Sequence, residues 1–242
     1  MNVVSLLIGR GGSSLKNKNI LPVNGVPLLL WGCSAAVRSK YINHYYVSSD
    51  DAEILNTAAI AGYKPIVRPS KLASDTAQSS DAVRHALEHI EETVGKVDIL
   101  VVQHANVGTI TEDMIDTCIS MLIENAKASS VVPAHEYAEY HPMRAKRVTE
   151  DGYLESFFTG HKVSANRQDL PQAVFFDHSF WVLRGRDAVF DPNGQGPWPC
   201  MGSNILPYIN SGCFDVHTLE DLETTGRWIH ENNIAVPDFL TD

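Results

Sequence analysis

The chain has 242 residues, 44% hydrophobic and 20% charged, a soluble globular composition for one large or two small domains that excludes disorder, collagen and a disulfide scaffold. Its 19 Lys and Arg against 29 Asp and Glu leave a net charge of −10, which argues against a nucleic-acid partner, since that needs clustered basic side chains. No run nears the ~20 apolar residues of a membrane helix, so no membrane partner is expected.

Apolar runs alternate with helical patterns, which predicts βαβ units and a mainly parallel sheet. Val3–Ile8 hardly alternates and reads as a strand buried on both faces. It has no basic residue before it and runs into Gly9 and Arg10, so it is not a signal peptide. Residues 27–38 read as a helix with Pro27 in its first turn, residues 45–48 as a second strand, and residues 51–61 as a helix closed by Gly62. Ser79–Val94 repeats apolar residues at helical spacing, with Gly95 after it. Residues 99–103 form a strong strand, Thr111 caps the next helix, and residues 130–133 form another strand.

Residues 134–170 turn polar, aromatic and His-rich without a clean period, the mark of an arm or flap inserted in a single domain spanning 1–242. Extended patterns resume at 174–183 and 204–209, and residues 213–216 read as a last short strand. Thr218 then caps a helix to residue 232, with Asp221 completing an imperfect capping box. Cys33, Cys118, Cys200 and Cys213 form no Cys-x-x-Cys pair, so four reduced thiols and a cytoplasmic location are expected.

Charge is unevenly spread. Residues 1–49 carry Arg10, Lys16, Lys18, Arg38 and Lys40 and no acid, a local +5 in an otherwise acidic chain. Three of those cations fall in the glycine loop that follows the first strand, Gly9-Arg10-Gly11-Gly12-Ser13-Ser14-Leu15-Lys16-Asn17-Lys18-Asn19. Glycines let a backbone approach a phosphate, successive N–H groups make an anion nest, and the cations supply charge. The loop lacks the Gly-Lys-Ser/Thr of a P-loop and the third glycine of a dinucleotide fingerprint. A triphosphate cradle is therefore weighed against a plain Gly-rich turn.

The loop resembles the Arg-Gly-Gly-Ser-Lys…Lys-Asn signature of the CMP-sugar-acid synthetases, cytidylyltransferases that activate sialic acids and 3-deoxy-octulosonates. The resemblance continues through Pro27-Leu28, Val47-Ser48-Ser49-Asp50-Asp51, Arg68-Pro69…Leu72-Ala73-Ser74-Asp75-Thr76-Ala77…Ser79, Gln103, His141-Pro142, the stretch from Asn166 to Gln172, and Asp215-Val216-His217-Thr218…Asp221-Leu222. It covers nearly the whole chain, and the acylneuraminate branch is the nearest. The resemblance implies a Rossmann-like, three-layer α/β nucleotidyltransferase domain with a protruding arm that makes a homodimer and completes the neighbour's sugar site.

The activity so implied is transfer of CMP from CTP to a sialic-acid-like sugar acid with release of pyrophosphate. Arg10 and Lys18 match the triphosphate cations, with the backbone of Gly11, Gly12 and Ser13 cradling the same group and Asn19 beside the nucleotide. The loop is one residue short, so the family's first lysine falls on Ser14, and Lys16 is the candidate replacement. Arg68, Ala77 and Ser79 match cytosine contacts, against a plainer surface ion pair of Arg68 with Asp75. Gln103 and Arg167 match sugar contacts, while Phe175 replaces a second family arginine and His178 lies in another altered stretch. His104-Ala105-Asn106-Val107 stands where the family has Pro-Thr-Ser-Pro.

Before the last helix the relatives carry Asp-x-Asp as a metal site, and this chain has Asp215-Val216-His217. The expected ion is Mg²⁺, with Mn²⁺ as the alternative because imidazole suits softer metals. Three roles stay open for His217: ligand, general base, or packing residue while Asp215 alone holds Mg²⁺. The departures point to a non-standard nonulosonic acid, with an octulosonate or amino-octulosonate as second choice and an inactive nucleotide- or sugar-binding protein as third. The His135…His141 stretch has the wrong spacing for a His-Glu-x-x-His zinc site, and Gly194…Pro199 reads as a turn over the site.

Overall fold

The computed structural model describes residues 1–12, 15–137, 140–160, 163–210 and 213–240. The chain runs β1 (Val3–Ile8), the short pair β2 (Pro22–Val23) and β3 (Val26–Pro27), α1 (Leu28–Arg38), β4 (His44–Ser49), α2 (Ala52–Ala59) and β5 (Lys64–Val67). It continues through α3 (Ser79–Val94), β6 (Ile99–His104), α4 (Glu112–Glu124) and β7 (Ser130–His135). The last part holds β8 (Lys146–Val148), β9 (Leu154–Ser156), β10 (Phe175–Phe176), β11 (Phe180–Leu183), α5 (Gly185–Val189), β12 (Ile205–Ile209) and α6 (Leu219–Glu231).

The main sheet has the order β10-β7-β11-β6-β1-β4-β5, with β12 added to β7. Strands β6, β1, β4 and β5 are parallel, whereas β11 enters antiparallel between β6 and β7. Both faces are covered, which is why β1 is buried throughout and apolar at every position but Ser5. Val3 and Leu7 pack with α1, α2 and α4, while Val4, Leu6 and Ile8 pack with α3 and the α5 region. Each such Leu removed from water contributes roughly 1.5–3 kcal/mol.

Local signals set the ends of the helices. Asp51 accepts the Glu53 N–H at 2.8 Å to start α2, Thr111 accepts the Met114 N–H to start α4, and Thr218 with Asp221 forms a complete capping box on α6. Gly62 and Gly95 lie at φ +81° and +75°, a region that glycine enters without strain.

Three expectations change. Residues 213–216 form no strand. They are pinned instead to the loop after β6, by the Val216 N–H to Asn106 O at 3.0 Å and the Phe214 N–H to Thr109 Oγ1 at 3.2 Å. β5 escaped the pattern reading because Pro65 and its short length disguise it, and a proline is tolerated there because β5 is the sheet's edge. The 194–199 turn is packed down rather than laid over the site, since Trp198 sits on the rings of His178, Phe176 and Trp181.

The polar excursion begins later than its composition suggests, because β7 runs on to His135. Its hairpin, β8 with β9, pairs only with itself and is exposed along its length. All four cysteines are free. Among the described residues no helix is long and apolar enough to cross a membrane.

Candidate active site

A cleft of about 470 Å³ opens at the carboxyl ends of β1, β5 and β6, where open α/β sheets bind ligands. Its lining includes Gly9, Arg10, Lys18, Asn19, Arg68 and His217. The glycine loop can pass so close to the sheet because Gly9 has no side chain: a Cβ there would lie 2.9 Å from the Cβ of Ala105. At Gly11 a Cβ would lie 2.7 Å from Asp51 Oδ2. Asn19 is buried and donates its amide to Arg10 O at 3.2 Å, which ties the far end of the loop to its start.

The anion-binding groups of the loop already hold protein acids. Arg10 donates to Ser74 O at 2.9 Å and pairs with Asp75 at 3.1 Å. The Gly11 N–H, expected to face phosphate, donates to Asp50 Oδ1 at 3.1 Å. Gly12 is exposed with open space around its Cα, and Ser13 and Ser14 lie outside the described residues. Lys18 points to the cleft, its pKa lowered first by burial, with Asp215 opposing that shift and Arg10 adding to it. Lys16 is exposed and is not among the residues that line the cleft.

Arg68 is 7% exposed. Its Nε donates to Ser48 Oγ at 3.1 Å and its Nη2 to Ser48 O at 2.6 Å, so the side chain is clamped to the end of β4. It makes no pair with Asp75, whose partner is Arg10. Burial lowers its pKa to about 10, Asp50 opposing that shift and Arg10 adding to it, so the guanidinium stays charged near neutrality. Ala77 and Ser79 flank the start of α3, where Gln78 caps with no side-chain hydrogen bond and the helix presents its positive end to the cleft.

Asp215 and His217 lie on the pinned segment before α6, and His217 lines the cleft. His217 Nε2 lies 3.7 Å from Asp215 Oδ2, and its side chain is 63% exposed. Burial raises the pKa of Asp215, while His178, His217 and Lys18 pull it down. Asp221 holds the segment by accepting the N–H groups of His217 and Thr218, each at 2.8 Å, and its pKa is lowered by those bonds.

The sugar-side expectations fare differently. Gln103 is fully buried and does not face the cleft. Its Oε1 accepts from Ser5 and Tyr63 and its Nε2 donates to Gly32 O, so its amide is consumed beneath the sheet. Side chains alternate along a strand, which puts its neighbour His104 in the cleft instead. Arg167 lies exposed in a short turn away from the cleft. Phe175 stacks with His135 and meets Tyr137 at a tilt on the arm side, and His178 sits edge-on to Trp198 at 4.4 Å. Residues given no role in the sequence reading, including Leu72, Ser74, Gln78 and Ala82, complete the cleft wall. Their signal was nearness to Arg68, Ala77 and Ser79 in the chain.

This chain belongs to the cytidylyltransferase family, whose model matches residues 5–185, and it is a nucleotidyltransferase. It is 28% identical over 230 residues to the pseudaminic acid cytidylyltransferase of Campylobacter jejuni, covering 92% of this chain and 94% of that one. It is 25% identical to the post-translational flagellin modification protein B of Campylobacter coli, covering 98% and 99% of the two chains. The N-acylneuraminate cytidylyltransferase A of Danio rerio is 37% identical, but over 34% of this chain and 20% of that one. Among solved structures, a CMP:2-keto-3-deoxy-manno-octonic acid synthetase complexed with CTP superimposes with a TM-score of 0.70 at 17% identity, covering 96% of this chain and 100% of that one.

Proposed function

We infer that the enzyme transfers CMP from CTP to the anomeric hydroxyl of a nonulosonic sugar acid, with pseudaminic acid preferred over an N-acylneuraminate. The observation that carries this reading is the convergence of Arg10, Lys18, Arg68 and the uncapped start of α3 on one cleft. The near-full-length relation to a pseudaminic acid enzyme supports that choice of sugar, and Phe175 in place of a second arginine fits a substrate other than the usual sialic acid.

In this reaction the anomeric oxygen attacks the α-phosphorus, the bond to the β-phosphate oxygen breaks, and pyrophosphate leaves. Positioning and charge neutralisation do most of the catalytic work in such transfers. Arg10 and Lys18 bind the phosphates, Arg10 exchanging Asp75 for the ligand, and Arg68 with the Ala77–Ser79 turn holds the nucleoside. His217 stands at the rim to take the hydroxyl proton, with Asp215 orienting the imidazole.

The residues also fit Mg²⁺. The described residues hold no cluster of three metal-ligating side chains, but Mg²⁺ is usually held by one or two carboxylates with the rest from phosphates and water. Asp215 offers a hard carboxylate that burial leaves short of solvation, and His217 beside it keeps Mn²⁺ as the alternative. The ion, when bound, neutralises and orients the triphosphate.

The arm exposes Tyr140, Val148, Tyr153, Leu154 and Phe157, an apolar surface suited to a second copy of the chain. A cytoplasmic homodimer is the state proposed, with Arg167 serving the neighbour's sugar site. A competition assay with CTP and equal pseudaminic acid, N-acetylneuraminate and 3-deoxy-octulosonate tests the sugar reading. Pseudaminic acid is expected to be consumed first; a preference for either other acid overturns it.

A further inference from the structure

His104 closes β6 at the floor of the cleft. Its backbone is fixed from both sides. It lies in register with Ile8 of β1, its N–H donates to Ser179 O at 3.2 Å, and the next N–H, of Ala105, donates to Ile8 O at 2.9 Å. The ring packs edge-on against the fully buried Trp181, with centroids 4.7 Å apart. An imidazole anchored in this way is pre-organised, as a recognition group must be.

Two observations set its chemistry. Nδ1 is sealed from solvent with no hydrogen-bond partner in the fold, yet the ring forms part of the cleft surface, so Nε2 is the nitrogen left for a ligand. Burial, with His178 and Arg68 nearby, lowers its pKa to about 4, and the backbone of Ser179 and His178 opposes that shift without cancelling it. The imidazole is therefore neutral at working pH and cannot serve as a further phosphate cation beside Arg10, Lys18 and Arg68. A neutral imidazole protonated on Nδ1 offers a lone pair at Nε2.

We propose that His104 is a specificity-determining residue of the cleft, accepting at Nε2 a hydrogen bond from an uncharged N–H or O–H group of a bound substrate. The proposal rests on the cytidylyltransferase reading. It also accounts for a charge-free polar residue at a point where the surrounding cleft is built to hold anions. The donor belongs either to the nucleotide, as an exocyclic amine or ribose hydroxyl, or to the sugar acid, as a hydroxyl or acylamino group.

The test is steady-state pyrophosphate release by the full chain for wild type, His104→Phe and His104→Gln, with CTP and pseudaminic acid varied in turn. His104→Phe keeps a ring against Trp181 and removes both nitrogens, so a packing role leaves it active. We expect it to raise KM at least about fivefold for one substrate, the loss expected when a buried polar partner is left unpaired. His104→Gln, which restores an acceptor near the Nε2 position, is expected to return KM to within about threefold of wild type. A rise in KM for CTP places the donor on the nucleotide, and a rise for the sugar acid places it there. Unchanged KM for both substrates in a folded His104→Phe overturns the proposal. If His104→Phe does not fold, a His104→Gln variant as impaired as His104→Ala overturns it, and recovery by glutamine supports it. A wild type that releases no pyrophosphate from CTP with any acid strikes the cytidylyltransferase reading itself, whereas an active wild type with unchanged variant constants strikes the role of His104 alone.

Discussion

The two sides of the proposed substrate path are built differently. On the nucleotide side, Arg68 is clamped twice to Ser48 and the glycine loop is tied by Asn19 to its own start. On the sugar side, Arg167 lies exposed in a short turn and the β8–β9 hairpin pairs only with itself. A group set on strand ends arrives positioned, whereas one carried on an arm needs an external surface to position it. The difference predicts that nucleotide binding is a property of one chain and sugar binding a property of two.

The sharpest way to break that division is at the point where its halves meet. Asp215→Ala is expected to lower turnover at least about 100-fold while leaving CTP affinity within a few-fold, because it removes charge stabilisation rather than nucleoside contacts. Near-normal turnover would remove Asp215 from the mechanism. Arg68→Ala should raise the Kd for CTP at least about tenfold by calorimetry, and Arg68→Lys should not restore it, since an ammonium cannot reproduce the forked bonds to Ser48. Replacing Tyr153 and Leu154 together by Ser is expected to yield monomers in sedimentation and to raise KM for the sugar acid several-fold with CTP binding unchanged. Weaker CTP binding in that variant would contradict the division.

Acid stability gives a smaller effect. His104 titrates at about 4 in the folded chain against about 6.5 when unfolded. Between those values the unfolded state binds the proton and the folded state does not, so stability falls as pH drops from 6.5 to 4. The loss is on the order of 3 kcal/mol, and His104→Gln should flatten that part of the urea-unfolding pH profile. The smallest effect concerns Asp75, whose side chain is 95% exposed and paired with Arg10. Asp75→Asn is expected to tighten CTP binding by at most about fivefold, because exposed pairs are weak; weaker binding would show that Asp75 helps hold the nucleotide.

The same division governed what could be read from the chain. Strands β1 and β6, α3 and the α6 capping box were legible because periodicity and caps are local signals. The place of Gln103 was not legible, because a motif match says nothing of which face a strand residue takes, and the alternation along β6 buries Gln103 while bringing His104 to the cleft. Charge density marks the glycine loop, but only its path brings Lys18 to the cleft lining and leaves Lys16 off it. The segment 213–216 reads as a strand because Cys213, Phe214 and Val216 are apolar, but it is held by Asn106 and Thr109 through contacts more than a hundred residues apart in sequence. The pairing of Arg10 with Asp75 was missed because the plainer alternative had given that acid to Arg68.

The most direct measurement is the product itself. The full chain incubated with CTP, pseudaminic acid and Mg²⁺ should yield a CMP-linked sugar acid by mass spectrometry, with one pyrophosphate released for each product formed. UTP in place of CTP should yield none. Tight binding of CTP with no linked product on any nonulosonic or octulosonic acid, with either Mg²⁺ or Mn²⁺, would contradict the account.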